Sequence, residues 1–559
     1  MPTLMLAGLG PGHHGPEPPP VGSRYSLHLL LLISILAIVP RVYVATTHPL
    51  DYDEYWNLFV AQQDTRAGLA AEWRANEHPP LYYWLLKLPL SLGRGRLLDR
   101  SLSLLAGVIA VFVLGRIVAQ FTSRLTSALL AALAFAFSPT AVVISSQNRS
   151  YMLCTLFILL AFSEFLLFLR GHPPLRAAVL FALFSCLALM SHYFTVFFLL
   201  ACLAALLYVV AIHLVCKRDT LSLVVGWWPS VLVATCPILA TAAWLYRTHL
   251  KGLRTSHLTH LSAFYYRPES GQSVLRYVAG AAQKTFNVFS PASIGQAASV
   301  PVFLLSVTVL VVSLVHFARI RRRSEDIPRC LPWFFFLFMS GSMLTASIEG
   351  VYPFGGELRH QFILFPFLLI TAFQVMDWMM SMWHRVTFPL AGLALVGICL
   401  NGTTPFRQPR ASTDKMGNMF AEEMALYCGV FPEPETVYVD QFTLILFFAH
   451  HDRWQWKRLD ERSYEVIGPG RRIDVLRKFK WSLDFLDERL YDELAEWLRS
   501  TERESTAVCS LRYPSGTRPP NSVEQDAFRQ KLTTLAARHG LKTTRLVLDG
   551  FDVFAQLSR

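Results

Sequence analysis

Apolar runs of about 20 residues recur along this chain. They fall at about 26–46, 101–121, 125–146, 151–169, 176–191, 194–215, 223–245, 299–318, 330–348, 360–380 and 386–401. Each is long enough to cross a hydrocarbon core as a helix, which predicts about eleven spans. The stretch 176–215 is too long for one crossing and breaks at Ser191-His192-Tyr193. The run 79–93 is too short to span and is predicted to lie in the interface. From residue 402 the pattern changes to charge runs and ordinary amphipathic periods. Segments at 437–439, 507–511, 545–548 and 552–554 read as strands, and 414–428 and 483–499 as helices. The expected fold is therefore a polytopic α-helical membrane protein with a small C-terminal α/β domain outside the membrane.

Charge placement orients the spans. With the N-terminus cytoplasmic, the inner loops hold Arg124, then Arg170 and Arg176, then Lys217-Arg218, then Arg319 to Arg323, then His384-Arg385. Every inner loop carries a base, as the positive-inside rule requires. The same alternation puts loops 47–100 and 246–298 and the domain 402–559 on the outer side. Residues 1–23, rich in Pro, Gly and His, read as a disordered cytoplasmic terminus, and 24–401 as the membrane module.

Composition agrees. The 559-residue chain is 53% hydrophobic and 16% charged, with a mean hydropathy of +0.37. A soluble protein would carry roughly a quarter charged residues. The net charge of +12 is spread over the loops, so it reads as orientation and not as a nucleic-acid surface. The nine cysteines show no metal-ligand spacing. Cys428 and Cys509 fall in the polar tail, where spacing gives no support for a disulfide.

The chemistry concentrates in the first outer loop. Asp51, Asp53 and Glu54 stand at a membrane edge, where carboxylates are expensive without a task or water. Asp51 followed three residues later by Glu54 matches a capping box. That leaves Asp53 unexplained and makes it the candidate general base for a hydroxyl, with Glu54 beside it. Glu77 and His78 precede Pro79-Pro80; they can orient Asp53, touch a phosphate or bind a divalent metal, for which the pair alone is a weak signal. Cations gather on the same predicted face: Arg100, Arg149, Arg359 and His360. They either snorkel at the interface or hold a lipid phosphate by charge-assisted hydrogen bonds. His192 and Tyr193 interrupt an apolar run there. Tyr55, Trp56, Tyr82 and Tyr151 either anchor at the interface or line a substrate groove.

The order of these marks resembles glycosyltransferase family 39, which includes protein O-mannosyltransferases and lipid A aminoarabinose transferase. They run from Asp53-Glu54 through His78-Pro79-Pro80-Leu81, Arg100-Ser101-Leu102-Ser103 and Ser146-Gln147-Asn148-Arg149-Ser150-Tyr151 to His192-Tyr193-Phe194 and Arg359-His360-Gln361-Phe362. The similarity is best over 45–200 and thins toward 370. The resemblance implies the C-type membrane glycosyltransferase fold and a polyprenyl-phosphate-linked sugar as donor. It also implies a lipid, glycan or protein acceptor, with transfer on the non-cytoplasmic face. It maps the presumed catalytic carboxylate onto Asp53 and the family's late-loop base onto Arg359. The aminoarabinose branch has Lys before its Pro-Pro-Leu where this chain has His78, which argues against that substrate. The tail does not resemble the repeat domain of eukaryotic protein mannosyltransferases.

On this reading the protein is a multi-pass enzyme of the plasma membrane, or of the endoplasmic reticulum in a eukaryote. A single inverting displacement uses Asp53 as base and Arg149 and Arg359 on the departing phosphate. The competing class is a transporter or flippase of lipid-linked glycans, which predicts ionisable residues deep in spans and a repeated helix pattern. Glu164 is the exception in that direction, and no repeat is visible. A third class, a receptor presenting 402–559, has no use for an acidic loop and a late-span Arg together.

Overall fold

The computed structural model describes residues 24–76, 78–169, 175–215, 220–252, 265–266, 271, 273–289, 327–354, 358–382, 389, 391–392, 395–396, 436–450, 454–460, 463–468, 471–478, 488–500, 505–510, 522–549 and 552–558. The chain divides into two compact units. One combines 1–45 with 100–408 and the other combines 46–99 with 409–559.

The first unit is helical and apolar. Nine of the predicted spans fall on helices. Among the described residues six are long and apolar enough to cross a membrane, seven if the bent pair Leu125–Phe137 and Pro139–Ser145 counts as one. Leu175–Ser191 and Thr195–Ala211 are shorter apolar helices. The predicted spans at 299–318 and, for the most part, 386–401 lie outside the described residues.

The bent pair turns by 55° at Ser138-Pro139, where proline removes an N–H and leaves carbonyls without a helical partner. Arg41 supplies the partner. Its Nη1 donates to the Ala37 and Ala136 carbonyls at 2.9 and 2.7 Å, and its Nη2 to Phe135 at 3.4 Å. The space for it exists because residue 107 is glycine: a Cβ there would lie 3.0 Å from Arg41 Nε and 2.5 Å from Ser145 Cβ. At the opposite end of helix Leu125–Phe137, Asp377 acts as a cap supplied from a distant helix. Its carboxylate accepts from the Ser123 and Arg124 N–H groups and from the Ser123 and Ser127 hydroxyls, all within 3.1 Å.

The second unit is built on a seven-stranded mixed sheet in the order β2-β3-β4-β1-β5-β7-β6. Its strands are β1 Thr436–Asp440, β2 Gln455–Arg458, β3 Ser463–Gly468, β4 Arg471–Lys478, β5 Ser505–Ser510, β6 Lys542–Asp549 and β7 Asp552–Ser558. Over their described residues all four predicted strand segments fall in strands, and the described part of the predicted helix 483–499 falls in Glu488–Ser500. The helix predicted at 414–428 lies outside the described residues.

Register shows which side chains share a face. Tyr438 lies opposite Leu476 and packs with Leu490, Tyr491, Leu494, Leu498, Leu532 and Leu535 on the side covered by helices Glu488–Ser500 and Ser522–Arg538. Alternation then sends Val439 and its partner Arg477, together with Val475 and its partner Tyr464, to the other side. Helices from residues 46–99 cover that side. Phe59, in helix Tyr52–Ala61, sets its ring edge-on against Phe448, Trp456 and Tyr464 at 5.2, 5.8 and 5.4 Å. An α/β sheet needs both faces covered, and residues 46–99 supply the second layer.

Candidate functional site

In the second unit the acidic stretch is ordered by its own capping. Asp51 is the N-cap of helix Tyr52–Ala61: its Oδ1 accepts from the Glu54 N–H at 2.8 Å, and Glu54 Oε2 accepts from the Asp51 N–H at 3.0 Å. The capping box predicted from the sequence is present. Glu54 is 1% exposed, so capping accounts for its carboxylate. Along 52–61 only Asp53 and Tyr55 keep partial exposure. The helix therefore opens to its surroundings at the one acid that capping does not explain. Burial pushes the Tyr52 phenol well above its usual range, and the carboxylates of Asp53 and Asp440 push it further. Asp440 ends β1 and caps the next helix by accepting from the Thr443 N–H at 2.7 Å; the sequence reading passed over it.

The groove candidates of this unit separate. Trp56 is buried edge-on against Tyr52 at 5.7 Å, and Tyr82 is 1% exposed against Tyr83. Both are packing residues here. His78 is half-buried, and Glu77 lies outside the described residues. Among the described residues no group of three or more His, Cys, Asp or Glu side chains gathers as a metal site.

In the first unit the predicted cations come together with aromatic rings. Arg149 lies just before helix Tyr151–Phe168 and is held through its backbone, its carbonyl accepting from Ser103 Oγ at 2.8 Å. Ser146 fastens the same loop by donating to the Arg41 carbonyl at 3.0 Å. The Arg149 guanidinium donates to the Tyr151 hydroxyl at 3.2 Å and lies 5.4 Å from that ring's centre. The Tyr151 ring is 4.9 Å from His192. The His192 Nδ1 accepts from the Phe194 N–H at 3.1 Å, so the neutral ring carries its proton on Nε2. Burial lowers the His192 pKa well below its usual value, and the neighbouring His360, Arg149 and Arg359 lower it further. Tyr352, also missed in the sequence, closes the group by donating to the His360 carbonyl at 2.8 Å. Its only local signal is its place in the turn seven residues before Arg359.

Arg149 and His192 stand just before the helices Tyr151–Phe168 and Thr195–Val215, and Arg359 and His360 lie in the short helix Leu358–Gln361. Helix N-termini carry partial positive charge, so two of them with two guanidinium groups form a setting for an anion. Two predicted residues are differently placed. Arg100 is 2% exposed and donates to the Ala45 carbonyl at 2.6 Å. Tyr193 hydrogen-bonds His249.

The His192 shift has a testable sign. Above about pH 6.5 the ring is neutral folded or unfolded and contributes no pH dependence. Below it only the unfolded chain takes up the proton readily, so stability falls as pH drops. Thermal unfolding in detergent is expected to lose up to about 1.4 kcal/mol per pH unit below 6.5 from this group. His192→Gln should flatten that slope.

The family described as dolichyl-phosphate-mannose-protein mannosyltransferase matches residues 77–244. The crystal structure of ArnT from Cupriavidus metallidurans in the apo state matches with a TM-score of 0.51 and 13% identity, over 95% of this chain and 98% of that one. The structure of ArnT from the same organism bound to undecaprenyl phosphate matches with a TM-score of 0.51 and 11% identity, over 94% and 97%. No curated protein sequence matches the chain. The chain is thus a multi-pass membrane protein with the fold of the ArnT structures. The resemblance to glycosyltransferase family 39 is borne out, by the mannosyltransferase family match over 77–244.

Proposed function

We propose that this protein is a membrane glycosyltransferase that moves a sugar from a polyprenyl-phosphate carrier to an acceptor hydroxyl on the non-cytoplasmic face. The observation that carries the reading is the cluster of Arg149, Arg359 and His360 with Tyr151, His192 and Tyr352, two of them at helix N-termini. Such a cluster in an apolar bundle fits a lipid-borne phosphate. A family match naming a dolichyl-phosphate-mannose transferase supports it.

The chemistry needs few parts. The acceptor oxygen attacks the anomeric carbon as its proton passes to the Asp53 carboxylate. The bond from that carbon to the phosphate oxygen breaks, and its electron pair leaves with the phosphate. Configuration inverts in the single displacement. Arg149 and Arg359 hold the phosphate as its charge grows, the stage at which such donors are worth most. His192, neutral and donating from Nε2, adds polarity without adding charge. Tyr55, the other residue left partly open on the helix of Asp53, is the residue we assign to the acceptor.

Binding of radiolabelled polyprenyl phosphate to the purified protein tests this assignment. Saturable binding, competed by a polyprenyl-phosphate sugar and not by free polyprenol, is expected. Equal competition by the polyprenol would show that the phosphate is not recognised and would overturn it.

A further inference from the structure

The second unit contains a buried ionic joint that the transfer chemistry does not use. Glu72, in helix Arg66–Ala75, is 0% exposed. Its Oε2 accepts from Arg477 Nη1 at 2.5 Å, and its Oε1 from Arg477 Nη2 at 3.0 Å, a bidentate pair. The same Oε1 accepts from Arg458 Nη1 at 2.9 Å and from the Tyr464 hydroxyl at 2.5 Å. Arg458 also donates to the Gly68 carbonyl at 3.1 Å, one turn earlier in the helix. Burial opposes the charge on Arg477, yet Glu72 and Tyr464 keep its pKa raised. One carboxylate from the outer loop is thus held by three strands, β2, β3 and β4.

Buried ion pairs are poor stabilisers compared with apolar packing of the same volume, but they tolerate few geometries. A helix resting on an apolar sheet face can slide or rotate at little cost. A bidentate guanidinium–carboxylate pair with two further donors fixes one position. Four residues separate this helix from the one that carries Asp53. The intervening segment is itself tied: Lys87 Nζ donates to the Gln63 carbonyl at 2.7 Å, and Gln63 Nε2 to Phe59 at 3.1 Å. Phe59 in turn packs on Tyr464, the ring that donates to Glu72.

We propose that the C-terminal sheet domain is the positioning device for the acid-bearing loop, with Arg477 and Glu72 as positioning residues that fix Asp53. The inference rests on the reading of Asp53 as the base. It gives 409–559 a role in the reaction itself, whatever else that domain recognises.

The test uses the full chain in liposomes and four variants: Arg477→Met, Arg477→Lys, the double Glu72→Gln with Arg477→Met, and Asp53→Asn. Arg477→Met is expected to lower kcat at least tenfold, since small displacements of a reacting group are costly. Binding of polyprenyl phosphate should stay within about twofold, because the cation cluster is untouched. Arg477→Lys should recover part of kcat. The uncharged double variant should recover thermal stability without recovering kcat, and amide exchange over 52–61 should rise in it. Recovery of kcat together with stability, or unchanged exchange over 52–61, would overturn the proposal. If Asp53→Asn is inactive while every folded Arg477 variant turns over normally, the positioning inference alone fails. If Asp53→Asn turns over normally while Arg477→Met is slow, the base assignment fails and the loop is positioned for another of its residues.

Discussion

Asp53→Asn is expected to lower kcat for sugar transfer by a factor of about 10² to 10⁴, the usual contribution of a positioned general base. That is roughly 3–5 kcal/mol of transition-state stabilisation. Asparagine keeps the shape and removes the proton acceptor. The helix should survive, because Asp51 and Glu54 make the cap and Asp53 makes neither of its bonds. Loss of one acid from the first turn costs stability of about 0.3–1 kcal/mol through the helix dipole. The measurement is therefore a comparison of initial rates with thermal unfolding of the same preparation. A large rate loss with a small stability loss identifies a base. The converse identifies a structural acid. Glu54→Gln gives the internal contrast, since its cost should fall on stability.

Replacement of Arg359 and Arg149 is expected to be the next largest effect. Arg359→Gln should lower kcat by about 10² to 10³, as removal of one donor to a developing oxyanion does. The loss should appear in kcat more than in donor KM, because charge on the phosphate grows as the bond to the sugar breaks. Arg149→Gln should behave similarly with some added loss of stability, since its guanidinium also holds the Tyr151 hydroxyl. Both lie beside His192, so their effects should not add independently. Arg100→Gln should instead cost stability, because that guanidinium binds the Ala45 carbonyl. Rates and polyprenyl-phosphate affinities measured on the three variants separate these outcomes.

Hydropathy made the membrane unit legible because a spanning helix writes its own length into the sequence. The capping box of Asp51 and Glu54 was legible for a similar reason, since both partners lie within one turn. The cations Arg149, Arg359 and His360 could be nominated because loop order follows from span count. Three things were hidden. Arg41 reads as a stray charge in the first span until the break at Pro139 shows which carbonyls it serves. Strands β2 and β4 carry so many charges that alternation is masked; in β4 an arginine, Arg477, takes a core-facing place after Ile473 and Val475. The pairing of loop 46–99 with the tail rests on contacts such as Glu72 to Arg477, 405 residues apart. No local pattern encodes such a contact. The sequence therefore reads as a loop and a separate domain where the structure has one unit.

The central claim, transfer from a polyprenyl-phosphate donor, is tested most directly by turnover of the wild-type protein in sealed liposomes. A panel of labelled polyprenyl-phosphate sugars would be supplied with membrane lipid, glycan and peptide acceptors. One donor is expected to yield free polyprenyl phosphate in equal number to sugars transferred, and that yield is expected to be lost in Asp53→Asn. A labelled donor that crosses the bilayer with its sugar still attached, with no free polyprenyl phosphate formed from any member of the panel, would contradict it.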